Sequence, residues 1–165
     1  MKRLQSPFVV MPLWSAVAAV LLARWPSWWA LAGFAAWPVV EYVAHRWAMH
    51  GPARIAPRAY KRVHGVHHLY PRDLSHFTIP IPIAAVVVAG LCAASWAVGA
   101  PLSVVGGLLA AFVLYDLAHL AAHGFAPFPF ARALRRHHAR HHADDARNFG
   151  VTTSWIDRLL GTRAP

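Results

Sequence analysis

Acidic residues are scarce in this sequence. Six Asp and Glu stand against sixteen Lys and Arg, charged residues make up only 13% of the chain, and cysteine occurs once. A single cysteine excludes an internal disulfide, so Cys92 is read as a packing residue. The shortage of charge comes with 58% hydrophobic residues, eight Trp and a mean hydropathy of +0.39, far from an ordinary soluble domain. No linker, low-complexity tract or break in composition divides the 165 residues, and β-structure has no obvious place. The expected fold class is all-α: one integral-membrane domain over residues 1–165.

Four long stretches are nearly free of charge: about Pro7 to Ala23, Trp28 to Ala44, Ile79 to Gly99 and Pro101 to Leu120. Each approaches the roughly 20 apolar residues that cross a hydrocarbon core as a helix. No small-x-small cleavage site precedes Arg24, and the first run ends in Trp25-Pro26-Ser27-Trp28-Trp29, which favours a retained span over a removable signal peptide. With four spans in two hairpins, fifteen of the sixteen Lys and Arg fall on one side and only Arg24 on the other. The positive-inside rule then places both termini in the cytoplasm. The net charge of +10 is accordingly assigned to topology and contact with anionic headgroups, not to nucleic-acid binding.

Prolines punctuate the segments between spans. Pro52, Pro57 and Pro71 bracket a predicted helix from Arg58 to Leu69, Pro80 and Pro82 fall at the opening of the third span, and Pro38 lies inside the second. Pro127 and Pro129 are expected to separate the fourth span from a helix over about Ala131 to His142.

What the chain has in abundance is histidine. Ten of its twelve histidines form four clusters: His45 and His50; His64, His67 and His68; His119 and His123; His138, His141 and His142. Imidazole is the commonest protein ligand of transition metals. In each H-x-x-H-H the rings stand at i, i+3 and i+4, on one helical face, and each triple is expected to converge. His119 and His123 at i, i+4 make a further face. His45 and His50 stand about 140° apart on an ideal helix, so they need a helix end or a local bulge to meet. Ten imidazoles exceed one ion, since zinc takes about four protein ligands and iron up to about six positions, and two ions are implied.

His76 and His137 are weaker members of the pattern, expected beside the ligands and not among them. Glu41 lies four residues before His45, and Asp116 three before His119. A carboxylate within a span is costly and usually paired or functional, and both are expected as acceptors that hold a ring tautomer. Leu117, Leu120 and Phe112 are candidates to line an apolar pocket near the fourth-span ligands.

Five strings then become familiar: E-Y-V-A-H-R-W-A-M-H-G, K-R-V-H-G-V-H-H-L-Y-P-R-D, Y-D-L-A-H-L-A-A-H, H-H-A-R-H-H and N-F-G-V-T-T-S-W-I-D-R-L-L-G-T. From Glu41 to Thr162 the chain resembles the fatty acid hydroxylase and sterol desaturase superfamily of integral-membrane diiron enzymes. The resemblance implies that the ten clustered histidines hold two non-haem iron ions with no separate protein base. It also implies that O2 is the co-substrate and that a hydrogen atom is taken from an unactivated C–H bond of a membrane lipid. The first string also resembles bacterial carotenoid hydroxylases. The third and fifth look more like fatty acyl 2-hydroxylases, which ranks an acyl chain first, a carotenoid second and a sterol third. The chain departs from the fused members in having no N-terminal cytochrome b5 domain. A separate donor of ferredoxin or cytochrome b5 type is therefore expected on the basic cytoplasmic face.

Two other classes compete. A metal transporter would set its ligands near mid-membrane along a path, whereas these histidines gather at one border. A zinc-dependent membrane hydrolase would want a carboxylate base beside a three-ligand ion, and the sequence contains no H-E-x-x-H.

Overall fold

The computed structural model describes residues 2–126 and 131–165, without the side chains at positions 2, 3, 52 and 54. Pro127 and Pro129 lie outside the described residues. The order of α-helices is α1 (Pro7–Arg24), α2 (Trp29–Val43), α3 (Pro52–Ile55), α4 (Pro57–Tyr60), α5 (Val66–Leu69), α6 (Ile81–Ala97), α7 (Ser103–Ala122), α8 (Ala131–Ala143) and α9 (Trp155–Leu159). Two π-helical segments, Ala44–His50 and Lys61–Gly65, are inserted between α2 and α3 and between α4 and α5. No strand occurs among the described residues.

The chain forms two compact units: Met1–Trp37 with Leu74–Leu114, and Pro38–Asp73 with Tyr115–Pro165. In the first, α1 buries Val10, Trp14, Ala18 and Leu21, a stripe at helical spacing. Beside it, α2 and α7 approach at backbone contact. A Cβ added to Gly33 would fall 2.0 Å from the Val104 carbonyl oxygen, and one on Gly107 the same distance from that of Ala30. Small residues allow such approach, and in lipid close van der Waals packing is what holds helices together. The start of α1 is tied to the segment before α6 by reciprocal bonds: Gln5 Nε2 donates to the Thr78 carbonyl (3.2 Å), and Thr78 Oγ1 to that of Gln5 (2.8 Å).

The outer surface of this unit is apolar. Phe8, Val20, Leu31, Val86 and Trp96 are each more than 60% exposed, and in water that would be an aggregation surface. Three stretches, Pro7–Arg24, Leu74–Ala97 and Ser103–Ala122, are long and apolar enough to cross a membrane. The second predicted span is α2, which holds only 15 residues, contains Pro38 and passes directly into π-helix. Phe112, a candidate pocket residue, packs against Trp37 with ring centroids 5.6 Å apart.

The second unit contains every histidine except His76. Its small core is built from Tyr42, Phe149 and Ile156. The helix predicted from Arg58 to Leu69 exists as a composite, α4 and α5 with the π-helical Lys61–Gly65 between them. The helix predicted from Ala131 is α8, which runs to Ala143.

Candidate metal centre

The 140° problem posed by His45 and His50 is solved by the backbone. Both lie in the π-helix Ala44–His50, where i→i+5 hydrogen bonding brings residues five apart onto one face. Their Nε2 atoms are 3.3 Å apart. They join His64, His68 and His141 in one group of five whose nitrogens all lie within 4.8 Å of one another. His67, His119, His123, His138 and His142 form a second such group.

The predicted convergence of each triple is therefore corrected. His64 and His68 serve the first group, while His67, between them in sequence, serves the second. In the other half His138 and His142 serve the second group and His141 crosses to the first. The ring of His67 is 4.7 Å from those of both His119 and His123, but 5.6 Å from His64 and 6.1 Å from His68. His141 is 4.5 Å from His45 and 5.9 Å from His142. Helical geometry explains the split. Residues i and i+4 differ by about 40° around the axis, whereas i+3 is about 60° away on the opposite side of i. Each half thus supplies four imidazoles to its own group and one to the other.

The spacing of donors tests what these groups can hold. Neighbouring Nε2 atoms are separated by 3.0, 3.0, 3.1 and 3.3 Å in the first group and by 2.9, 2.9, 3.1 and 3.1 Å in the second. An octahedron with metal–nitrogen bonds of about 2.1 Å has edges of about 3.0 Å, and a tetrahedron has edges of about 3.4 Å. The observed separations match the octahedral edge, with five donors in each group.

Ring orientation agrees. His45 Nδ1 donates to the Phe149 carbonyl (2.5 Å) and His141 Nδ1 to that of Arg147 (2.7 Å). A carbonyl only accepts, so each Nδ1 carries the proton and each Nε2 of the neutral ring turns a lone pair inward. Lone pairs crowded at such distances repel unless a cation accepts them. Burial also holds the rings neutral. It lowers His64, His67 and His138 well below the usual imidazole value, with neighbouring histidines adding to the effect. Burial and then the charge of His141 bring His50 to about 3 and His68 to about 2, while burial and then His123 bring His142 to about 3.

The two carbonyls belong to a loop, 147–153, which, Arg147 apart, lies within the closing string that carried the resemblance but was not expected to bond to the histidines. Asp157 anchors it. Its buried carboxylate accepts the Phe149 N–H (2.9 Å) and Thr162 Oγ1 (2.8 Å) on one oxygen and the Gly150 N–H (2.9 Å) on the other. Burial alone would raise this carboxyl. The neighbouring His137 and these hydrogen bonds outweigh burial and hold it below the ordinary carboxylate range. Because Thr162 donates to Asp157, Tyr42 must donate to Thr162 (2.8 Å), and Arg46 Nη1 donates in turn to Tyr42 (2.8 Å). Asn148 takes a positive φ of 53°, a conformation Asn tolerates better than most, and its side chain donates to the His137 carbonyl (3.0 Å).

Glu41 also acts on the loop. Its carboxylate accepts the Thr152 N–H (2.9 Å), the Val151 N–H and the Thr152 hydroxyl. Asp116 is buried in α7, and neither of its carboxylate oxygens has a hydrogen-bond partner among the described residues. His137 Nε2 lies 3.6 Å from Asp157 Oδ2, apart from both groups. His76 belongs to the first unit and bonds to Ser75 Oγ (3.0 Å). The closing string N-F-G-V-T-T-S-W-I-D held the signal for this loop in its Asn-x-Gly turn, but not the partners of the turn.

Taken together, these features define a helical protein with membrane-length apolar helices and two histidine groups capable of binding metal ions. The fatty acid hydroxylase family matches residues 30–162, and the chain belongs to that family. It is 28% identical over 137 residues to dihydroceramide fatty acyl 2-hydroxylase FAH2 of Arabidopsis thaliana, a match covering 79% of this chain and 58% of the relative. It is 30% identical over 141 residues to fatty acid 2-hydroxylase of Homo sapiens, covering 78% and 37%. The chain thus spans between about a third and three fifths of the length of these relatives. A solved structure of full-length scs7p, with only the hydroxylase domain visible, has the same fold. The TM-score is 0.82 at 24% identity, over 99% of this chain and 69% of that one.

Proposed function

We propose that this protein is an O2-dependent diiron hydroxylase acting on a fatty acyl chain, at carbon 2 as the names of its relatives indicate. The observation that carries this reading is the pair of five-histidine groups with octahedral nitrogen spacing. Each group would hold one iron: His45, His50, His64, His68 and His141 the first, and His67, His119, His123, His138 and His142 the second. The chemistry iron supplies there is the reductive activation of O2, one oxygen atom entering a C–H bond and the other leaving as water, with two electrons and two protons consumed. All-imidazole donors suit a redox metal, and five to an ion leave a position for a small molecule.

The protein's own part is to present ligands and fix them. His45 and His141 are locked as Nδ1–H tautomers by the 147–153 loop, and Asp157 and Glu41 hold that loop from its two ends. Electrons come from an external donor of ferredoxin or cytochrome b5 type. The chain forms a single domain of four spans with both termini cytoplasmic, α2 serving as the short second span.

The test is anaerobic reconstitution with ferrous iron, then O2 and a reductant in the presence of acyl lipids. About two irons per chain and an O2-dependent 2-hydroxyacyl product are expected. An iron-loaded protein that oxidises no lipid would sink the proposal. Activity with zinc and no O2 requirement would indicate a hydrolase, metal flux in proteoliposomes a transporter, and hydroxylated carotenoid or sterol a different branch of the family.

A further inference from the structure

Helix α8 has two functional faces. His138, His141 and His142 occupy one. Arg136 and Arg140 stand about 160° from His138 on the other, counted at about 100° per residue, and His137 lies between the two faces. Arg136, His137 and Arg140 line a cleft of about 360 Å³ together with Thr153, Ser154, Arg158 and Arg163. Four guanidinium groups meet there, and no carboxylate lines the cleft. None of the four is ion-paired among the described residues, whereas Arg147 pairs with Asp144 at 3.2 Å and Arg46 lies over the rings of Tyr42 and Trp47. Unpaired cations converging on a concavity favour an anion, and guanidinium forks suit phosphate oxygens in particular.

A second observation limits which anion. Helix α9, which supplies Arg158, buries Ile156 and Asp157, whereas Trp155 (49%), Leu159 (72%) and, just past its end, Leu160 (49%), flanking Arg158 in sequence, are exposed. Trp and Leu next to Arg is the composition of a segment that rests in the membrane interface. A free phosphate would use the guanidinium groups and leave these three side chains in water. We propose that the cleft binds the headgroup phosphate of an anionic phospholipid, with Trp155, Leu159 and Leu160 against its glycerol and acyl region. The site is separate from the histidine groups and does not depend on their chemistry.

The test uses the full chain purified in detergent and native mass spectrometry with dioctanoyl phosphatidylglycerol, dioctanoyl phosphatidylcholine and inorganic phosphate. Phosphatidylglycerol is expected to bind at least about tenfold more tightly than phosphatidylcholine, and R158Q/R163Q to lose that preference, since each interfacial cation contributes about a fivefold factor. L159S/L160S should weaken lipid binding and leave phosphate binding unchanged. All four side chains are exposed, so both variants should keep the wild-type melting midpoint and metal content. Equal binding of the two lipids, or a preference that survives R158Q/R163Q, overturns the proposal. Phosphate binding as tight as phosphatidylglycerol reassigns the cleft to a free anion. Displacement of the lipid by polyglutamate at lower concentration reassigns it to an acidic protein.

Discussion

The imidazole rings of His68 and His142 stack with centroids 4.4 Å apart and planes inclined by 25°, and each belongs to a different five-histidine group. The two groups therefore share a wall of packed rings. Each also contains one histidine from the other half of the chain: His141 in the first, His67 in the second.

That exchange makes a prediction about pairs of substitutions. H64A/H141A removes two ligands from one group and should leave about one ion per chain. H64A/H67A, a pair from a single sequence cluster, touches both groups and should leave less than one. Metal analysis of the purified variants decides the matter, and equal losses in the two would refute the crossing.

Asp157→Asn should loosen the loop that holds His45 and His141. The amide cannot accept all three hydrogen bonds now made, and a stability loss of about 2–4 kcal/mol is expected, with weaker metal retention. Thermal melts and metal content read both effects. A variant with the wild-type midpoint and full metal would mean that the loop is held by other contacts.

Gly150 has no room for a side chain. A Cβ there would sit 2.0 Å from the Thr153 carbonyl oxygen and 3.1 Å from Asp157 Oδ2, so Gly150→Ala must displace the loop. A cost of about 2–4 kcal/mol is expected, against less than about 0.5 kcal/mol for Gly90→Ala, where nothing lies within 4 Å. Denaturant melts of the two variants provide the comparison.

Acid should destabilise the metal-free protein. His50, His68, His123 and His142 are lowered from 6.5 to about 3, 2, 4 and 3, chiefly by burial. Below pH 6.5 the unfolded chain takes up protons that the folded chain refuses, so stability is greatest above 6.5 and falls as pH drops toward about 3. Bound metal should shift the fall to lower pH, because it holds the rings neutral. A melting midpoint of the metal-free chain that stays level between pH 7 and 5 would show that these rings are not held neutral by the fold.

Much of this was legible in one dimension. The ten clustered histidines, the helical class and the boundaries of α8 follow from periodicity and composition. The need for a helix end or a bulge between His45 and His50 follows from their spacing of five, and the structure takes the second course with a π-helix. The partition of each H-x-x-H-H was not legible, because i+3 and i+4 both lie within about 60° of i, and only the position of the other half decides which rings are grouped. Asp157 stood in the closing string, but its role was hidden for a related reason. Its partners Phe149, Gly150 and Thr162 meet it through backbone groups and a hydroxyl, which leave no pattern in the sequence.

The sequence by itself determined which residues are chemically able to bind metal, and that they number enough for two ions, because ligand type and helical period are local properties. Tertiary structure decided which imidazoles are grouped and which loop carbonyls set their tautomers. Those depend on distances between segments up to 104 residues apart, as for His45 and Phe149, and no local rule encodes them.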